Sequence, residues 1–255
     1  MTLTLTPLLN IPLIRHGDDL ADIIVAGLRD TEIALEDGDI LVLAQKIVSK
    51  AEGRMINLAT VTPSEHAISL AAQADKDPCI VELMLHESNE VLRVRVGAII
   101  VEHKLGFICA NAGIDHSNVA GAGDSKEEFV LLLPENPDRS ATEIRSKLEA
   151  ASAKRIGILI IDSHGRAWRN GTVGVTIGIS GIPGVADLRG QLDLFGYTLR
   201  ITQVGAADEL AAAASLMMGQ ASEGTPVVHV RGFPYALREG SLRELIRPKD
   251  QDMFR

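Results

Sequence analysis

The chain has few aromatic residues, few cysteines and no long hydrophobic run. Aromatic side chains make up 3% of its 255 residues and hydrophobic residues 46%, so Ala, Val, Ile and Leu must build the core. Its only cysteines, Cys79 and Cys109, lie in apolar stretches, and we expect reduced thiols in a cytoplasmic protein rather than a disulfide. No apolar run approaches the ~20 residues of a membrane span, and the first residues lack the pattern of a signal peptide.

Positive charge is also scarce. The chain has 25 Lys and Arg residues against 34 Asp and Glu residues, which gives a formal net charge of −9. Proteins that bind nucleic acids or anionic membranes use broad basic surfaces, so this balance argues against both partners. Any anion site must therefore be a local basic pocket. A chain of this length can bury a large core, as a single domain over 1–255 or as two closely packed lobes.

Strand patterns and helix patterns alternate along the chain. Apolar runs and alternation predict strands at 2–6, 40–44, 98–101, 107–110, 156–161 and 226–230. Helical spacing and capping signals predict helices at 18–28, from 62 toward 75, at 78–88, from 140 to near 153, at 206–218 and at 241–246. The hairpin around residues 103–106 and the short connections do not fit a pure βαβ succession. We therefore predict a mixed α/β fold with mainly antiparallel sheets and packed helices.

Two acidic segments, 111–115 and 162–166, follow apolar runs and are predicted to be loops. Each has an Asp at the mouth of a strand and a Gly nearby, which suits a divalent cation held against phosphates. If the loops meet, Asp115 and Asp162 share one site. Two carboxylates ~4 Å apart repel by roughly 4 kcal/mol at an effective dielectric of ~20, so one is protonated or a cation lies between them. Alternatively each Asp only closes its own turn; the two loops together favour the metal site.

Three cationic residues follow the predicted strand at 40–44. Lys46, Lys50 and Arg54 are spaced at intervals of four, so a helix would align them as one basic stripe, whereas an irregular segment could bring them together on an anion. A run of charges usually marks a solvated face. Their position directly after a buried strand favours an anion site, because α/β sheets tend to bind ligands at that end of their strands.

Four longer motifs resemble one protein family. They are GDILVLAQKIVSKAEGR, NAGIDHSN, IDSHGRAWRNGTVGVTIGISG and ADELAAAASLMMGQ. The chain resembles the coenzyme F420:L-glutamate ligases, also called F420-0:γ-glutamyl ligases, in the stand-alone form without a C-terminal flavin-binding domain. The resemblance implies a GTP-dependent acid–amino-acid ligase, a peptide synthase of coenzyme F420 biosynthesis. Such an enzyme adds L-glutamate to the deazaflavin precursor F420-0, then further γ-linked glutamates, through an acyl phosphate. It also implies an intertwined homodimer.

The resemblance also implies roles for individual site residues. The implied ligands of two divalent cations, Mg²⁺ or Mn²⁺ with K⁺ as a further candidate, are Asp115, Asp162, Ser163 and Gln220. The implied nucleotide-binding residues are Ile11, Pro12, Leu13, Ile14, Gln45, Lys46, Lys50, Asn118, Met218, Gly219, Ala221, Ser222, Glu223, Gly224 and Thr225. Some relatives have Glu at position 220, so we expect the second cation to bind more weakly here. Gln45 and Lys46 stand where some relatives carry small hydroxyl residues.

Other residues and functions stay open at this point. Trp168 either belongs to the core or stacks on the aromatic coenzyme, with Arg166 or Arg169 near its phosphodiester. No protein nucleophile is predicted. The segment 121–127 is predicted to be a surface loop, with a lid over the site as the alternative. A metal-dependent phosphohydrolase also suits paired aspartates, and a non-catalytic nucleotide-binding protein could keep the same fold.

Overall fold

The structure is a computed structural model that describes residues 2–119 and 128–253. Its strands are β1 (Thr4–Pro7), β2 (Ile40–Ala44), β3 (Met55–Asn57), β4 (Ser88–Arg95), β5 (Ala98–His103), β6 (Ile108–Ala110), β7 (Phe129–Leu131), β8 (Gly157–Arg166), β9 (Arg169–Ser180), β10 (Ala186–Asp187), β11 (Gln203–Val204) and β12 (Val227–Arg231). Its α-helices are α1 (Leu20–Asp30), α2 (Gln45–Ala51), α3 (Glu65–Ala74), α4 (Pro78–His86), α5 (Pro137–Ser152) and α6 (Ala206–Met218). The segment 121–127 lies outside the described residues.

A five-stranded sheet in the order β1-β12-β2-β8-β9 forms the centre of the fold. Only β2 and β8 run parallel in this sheet; the other three pairs are antiparallel. A second sheet, β4-β5-β6, is an antiparallel meander, and β3 with β7 and β10 with β11 form short antiparallel pairs. The predicted mixed α/β fold with mainly antiparallel sheets is confirmed.

Strand β2 is buried on both faces, as its unbroken apolar run predicts. Leu41 and Leu43 pack with α1 and α5 on one side of the sheet. Ile40 and Val42 pack with α6 on the other side. All four side chains are 0% exposed, and burying each contributes roughly 1.5–3 kcal/mol. The position of β2 between these two layers fixes the position of its last residue, Ala44, after which α2 begins.

The second sheet and its helices place the first acidic segment. Helices α3 and α4 pack on β5 and β6 in a separate apolar cluster that includes Val101, Cys109 and Ala112. Strand β6 then runs into a single 3₁₀ turn at Asn111–Gly113, and Asp115 follows. Burial, with a further contribution from the charge of Asp162, raises the pKa of Cys109 to about 12, so this thiol stays protonated and unreactive.

Two predicted elements are wrong in the segment that approaches the site. Residues 162–166 are not a loop, because β8 continues to Arg166 and pairs with β9 as a long hairpin. Helix α5 begins at Pro137 rather than at Ser140. The Asn136 side chain caps it by accepting from the Arg139 backbone N–H at 3.1 Å, while the Ser140 hydroxyl donates to the Asn136 carbonyl and to Glu52.

The C-terminal segment also differs from its prediction. Residues 241–246 form only a 3₁₀ turn, Leu242–Glu244, instead of a helix. This turn lies beside the start of α5, where the Leu242 backbone N–H donates to the Asp138 carboxylate at 3.0 Å. None of the helices formed by residues 2–119 and 128–253 has the length and apolar character needed to span a bilayer.

Strand β9 lies at an edge of the central sheet, and two carboxylates cover part of that edge. The Thr176 backbone N–H donates to Asp208 at 2.9 Å, and the Ile179 N–H donates to Asp138 at 2.7 Å. Both aspartates belong to the first turns of helices, α6 and α5 respectively. Backbone donors that no neighbouring strand pairs are therefore satisfied by side chains.

Candidate functional site

Asp115 is held by both its backbone and its side chain. Its backbone N–H and carbonyl exchange hydrogen bonds with Leu131, at 3.0 and 2.9 Å. Its Oδ2 accepts from Gln45 Nε2 at 2.8 Å, and its Oδ1 lies 3.5 Å from Lys46 Nζ. Burial raises the pKa of this carboxyl, Lys46 opposes the rise, and the nearby negative charge of Asp162 adds to it. The environment therefore favours an added positive charge.

Asp162 lies where β8 leaves the core. Its Oδ2 is 3.0 Å from His164 Nε2, and both side chains are 11% exposed. The charge of Asp162 raises the pKa of Asp115 and of Cys109, which places its carboxylate on the side of the sheet that faces β6. The structure thus brings the two predicted aspartates within electrostatic reach of each other.

Ser163 and Gln220 form a second pair of oxygen donors. The Ser163 hydroxyl donates to Gln220 Oε1 at 2.8 Å, and Gln220 Nε2 donates to Ser215 Oγ, in α6, at 3.0 Å. Successive side chains of a strand point to opposite faces, so Ser163 points to the α6 side and Asp162 to the other. The four predicted ligands therefore fall into two pairs rather than one cluster.

Helix α2 presents two lysines, one turn apart, to the segment after Asp115. Lys46 Nζ donates to the Ser117 hydroxyl at 2.8 Å, and Lys50 Nζ donates to the Asn118 carbonyl at 2.7 Å. Burial and the neighbouring Lys46 lower the pKa of Lys50. Arg54 lies beyond the end of α2 and bonds Glu87 and the Leu133 carbonyl instead. The basic stripe predicted for a helix is therefore limited to two residues.

The segment 218–225 joins this arrangement through Asn118. Asn118 Nδ2 donates to the Ala221 carbonyl at 3.1 Å, and the Ala221 N–H donates to Glu223 at 2.8 Å. The Thr225 hydroxyl donates to the Met218 carbonyl at the end of α6 at 3.0 Å. The loop after α6, the loop after Asp115 and the two lysines consequently form one connected surface.

The other predicted nucleotide residues lie at the border of this surface. Ile14 belongs to the core and Ile11 packs against it, whereas Leu13 is 89% exposed. The segment reaches α2 through Gly17, whose N–H donates to the Ala51 carbonyl at 2.9 Å. Of the four residues 11–14, Pro12 and Leu13 are the two with exposed side chains that a ligand could contact directly.

The tip of the β8–β9 hairpin carries the three candidate coenzyme contacts. Trp168 is 88% exposed, so the interpretation of this residue as part of the core is wrong. Arg166 donates to the Asn170 carbonyl at 3.1 Å, and Arg169 is also exposed. Strand β8 ends at Arg166, four residues beyond Asp162 and about 13 Å along a strand that rises roughly 3.3 Å per residue, and Trp168 follows in the turn. The tip therefore extends away from Asp162 along the direction of the strand.

An aromatic stack and a cavity, both beside His164, had no signal in the sequence. The rings of His103 and Phe107 are parallel, with centroids 5.2 Å apart. The ring centroids of Phe107 and His164 are also 5.2 Å apart, and these two rings are tilted. Burial lowers the pKa of His103 to about 4, so its ring is neutral. A cavity of about 280 Å³ adjoins His164 and is also lined by Thr176 and Asp208. Residues from distant parts of the chain line it, so spacing in the sequence does not reveal it.

The chain as a whole matches one family. The family profile described as F420-0:Gamma-glutamyl ligase matches residues 8–232. The chain belongs to this family. It is 44% identical to the coenzyme F420:L-glutamate ligase of Methanothermobacter thermautotrophicus over 257 residues that cover 100% of both chains. It is 43% identical to that of Methanocaldococcus jannaschii, covering 97% of this chain and 95% of the relative, and 42% identical to that of Archaeoglobus fulgidus, covering 100% and 97%.

The donors of this F420-0:γ-glutamyl ligase family member fit hard cations. Two carboxylates, a hydroxyl and an amide carbonyl are oxygen ligands of the kind that Mg²⁺ and Mn²⁺ prefer. Within residues 2–119 and 128–253 there is no group of three or more His, Cys, Asp and Glu side chains that could hold a metal ion.

Proposed function

We propose that this chain is a ligase that joins L-glutamate to coenzyme F420-0 at the expense of GTP. One observation carries the proposal: in a chain of this family, Asp115 feels the charge of Asp162 and lies 3.5 Å from Lys46, on a short helix that also carries Lys50. Carboxylates that hold a divalent cation and ammonium groups that hold phosphates are the parts that phosphoryl transfer requires. The names of the relatives supply the acceptor, coenzyme F420, and the amino acid, L-glutamate.

The oxygen donors would hold two divalent cations, Mg²⁺ or Mn²⁺. Asp115 and Asp162 supply charge for one cation, and Ser163 with Gln220 supplies neutral oxygens for the other. A bound divalent cation neutralises the negative charge of the transferring phosphoryl group. Because the second pair carries no charge, it depends more strongly on the nucleotide for its own cation.

The two lysines would donate hydrogen bonds to the phosphate oxygens of the nucleotide. Lys46 and Lys50 donate to neutral acceptors in the 117–118 segment. A hydrogen bond from an ammonium to a charged phosphate is stronger than one to a neutral carbonyl, so a nucleotide phosphate would displace these partners. Partial burial of Lys50 strengthens the attraction, because water screens the charges less there.

The reaction that fits these groups has two steps. A terminal carboxylate oxygen of F420-0 attacks the γ-phosphorus of GTP, the bond to the β–γ bridging oxygen breaks, and GDP leaves. The glutamate nitrogen then attacks the acyl carbon of the acyl phosphate, phosphate leaves with the electron pair of the C–O bond, and the nitrogen loses a proton. No protein nucleophile is needed, in keeping with the protonated thiol of Cys109.

We also propose a homodimer that covers two exposed apolar arms. The first arm is the hairpin tip with Trp168, 88% exposed, and the second is the segment 188–202. Leu194 is 98% exposed, Phe195 is 95% exposed and Ile201 is 88% exposed in that second arm. Large exposed apolar side chains that cluster in protruding segments are typical of protein–protein interfaces. A second copy would bring a hairpin tip toward a site that its own chain cannot reach.

The test of the ligase combines F420-0, GTP, Mn²⁺ and L-glutamate with the protein and detects glutamyl additions by mass spectrometry. We expect one added glutamyl unit or more, with GDP and phosphate formed in step. Asp162→Asn serves as the inactive control. Phosphate release at an equal rate without glutamate would reject the ligase and favour a phosphohydrolase.

The test of the dimer is light scattering of wild type and Phe195→Asp. Wild type should give about twice the chain mass of 27.3 kDa, and the charged variant should give the mass of one chain because it places a carboxylate in an apolar contact. A wild-type monomer with full ligase activity would reject the dimeric site.

A further inference from the structure

We infer that Gln45 is a positioning residue that fixes the carboxylate of Asp115 for a cation, rather than a contact of the nucleotide. The inference rests on the proposed function only in taking Asp115 as a cation ligand. It assigns Ser49 as the residue that in turn fixes Gln45.

The first observation is burial. Gln45 is the first residue of α2, directly after the buried strand β2, and is 1% exposed. Ser49, one turn later on the same face of the helix, is 0% exposed. The lysines of α2 reach the surface, whereas these two polar side chains point inward. A nucleotide on that surface would not touch Gln45 unless α2 moved.

The second observation is a chain of hydrogen bonds. Ser49 Oγ donates to Gln45 Oε1 at 2.9 Å, and Gln45 Nε2 donates to Asp115 Oδ2 at 2.8 Å. These contacts fix the orientation of the amide. A flipped Gln45 would set its carbonyl oxygen against the Asp115 carboxylate, so like partial charges would repel. The Asp115 carboxylate, which only accepts, therefore selects the amide orientation, and the Ser49 hydroxyl holds the carbonyl end of the amide in place.

The third observation concerns the two oxygens of Asp115. Gln45 occupies Oδ2, while among the described residues Oδ1 has the looser contact with Lys46 Nζ at 3.5 Å. A neutral amide satisfies one oxygen and orients the carboxylate without cancelling its charge. Oδ1 is therefore the oxygen left for a cation. Groups that hydrogen-bond a metal ligand in this way typically change metal affinity or activity by 10–100-fold when they are removed.

The decisive variant is Gln45→Met, which keeps the length of the side chain and removes both hydrogen bonds. We expect its Mn²⁺ affinity without nucleotide, measured by titration calorimetry, to fall by roughly ten- to a hundredfold. Its GTP affinity at saturating Mn²⁺ should equal that of wild type. High Mn²⁺ should also restore kcat, because the defect lies in holding the cation and not in the later chemistry.

Two serine variants separate positioning from stability. Ser49→Ala should weaken Mn²⁺ binding in the same direction as Gln45→Met but less, and it decides the question if Gln45→Met does not fold. Ser180→Ala is the matched control. Ser180, at the end of β9, is 1% exposed and accepts hydrogen bonds from Thr142 and Arg145 of α5. This control variant should lower the melting temperature and leave Mn²⁺ affinity unchanged.

The outcomes point in different directions. Gln45→Met with normal Mn²⁺ affinity and weakened GTP binding would overturn the inference and make Gln45 a nucleotide contact. Wild-type protein that binds no Mn²⁺ would overturn it as well. Wild-type protein that binds Mn²⁺, loses that binding in Gln45→Met and yet forms no glutamyl product would support the inference and reject the ligase.

Discussion

The two ends of strand β2 each lie beside an aspartate with cationic neighbours, and the two groups differ in how fully their charges are paired. At the start, Asp39 is 1% exposed and accepts from Arg231 at 2.9 and 2.7 Å, with His229 Nε2 2.9 Å away. At the other end, Asp115 keeps 26% of its side chain exposed, and its lysine stays at 3.5 Å. The first group is closed and structural; the second leaves charge available to a ligand.

The pKa shifts of the two aspartates have opposite directions. Burial of Asp39 acts to raise its pKa, but hydrogen bonds from Arg231 and His229 outweigh it and hold the pKa below the ordinary value. Burial raises the pKa of Asp115, and the partial contact with Lys46 does not offset it. The same residue type is therefore a stabilising partner at one end of the strand and an incompletely compensated charge at the other.

The largest expected effect belongs to the open end. Asp162→Asn removes a charge that would hold a cation, and loss of one such electrostatic contact should lower kcat about 10²–10³-fold. The free energy of unfolding of the metal-free protein should not fall, because a charge that repels Asp115 is lost. Steady-state kinetics and urea denaturation test this. EDTA should abolish wild-type turnover and Mn²⁺ or Mg²⁺ restore it; full activity of the variant with unchanged metal dependence would contradict the assignment.

The closed end should show the opposite result. Asp39→Ala leaves His229 and Arg231 without their carboxylate and should lower the free energy of unfolding by roughly 3 kcal/mol, the low end for breaking a buried pair because Arg231 is partly exposed. The folded fraction should keep its kcat and its Mn²⁺ affinity. Urea denaturation followed by circular dichroism measures the loss. A variant as stable as wild type, or a stable one without activity, would break the comparison.

Lys50 should give a smaller effect on activity. A hydrogen bond to a charged group is worth roughly 1.5–3 kcal/mol, so Lys50→Met should lower kcat/KM for GTP by about ten- to a hundredfold. Binding of the deazaflavin substrate should not change, because Lys50 would contact only phosphate. Calorimetry with each ligand separately tests this. Normal GTP binding with lost deazaflavin binding would show that the nucleotide does not bind beside Lys50.

The smallest expected effect is a pH dependence at the closed end. The pKa of Asp39 is lower in the folded protein than the ordinary 3.8, so its contribution to stability is fully present above that pH and is lost as the pH falls through the folded-state value. The difference in free energy of unfolding between wild type and Asp39→Asn should be constant near neutral pH and should decrease below pH 3.8. Urea denaturation across pH measures it. A gap that persists in strong acid would show that charge is not its source.

The sequence predicts elements well where local pattern and burial agree. The apolar run of β2 is confirmed, whereas the capping signal predicted at 62–65 is displaced. Helix α3 begins at Glu65, and Ser64 caps it by accepting from the Ala67 N–H at 3.2 Å. The hairpin of β8 and β9 escapes prediction because Ser163 and Gly165 are weak strand formers. Pairing across the hairpin, of Ser163 with Gly174 and of Gly165 with Thr172, decides their conformation. Likewise the sequence contains two capping signals for α5, Asn136 before Pro137 and Ser140, and the structure shows that Asn136 caps the helix.

The candidate site is predictable in composition but not in arrangement. Asp115 and Asp162 stand out because each follows an apolar run, and the lysines because they follow β2. The bond from Gln45 to Asp115 joins residues 70 positions apart and depends on α2 beginning at Gln45. The division of the ligands into two pairs depends on Ser163 lying in a strand. These relations are created by the fold, so spacing alone does not reveal them.

The two carboxylates along β9 limit how copies of this protein can meet. An unprotected edge strand invites another strand to add to the sheet, which leads to open-ended polymers. Asp208 and Asp138 already accept from the Thr176 and Ile179 N–H groups, so an incoming strand would face negative charge instead of free donors. The opposite edge, β1, has four residues and ends at Pro7, which has no N–H to offer. Both margins of the sheet thus disfavour strand addition, so the homodimer proposed above would form through the side chains of the protruding arms.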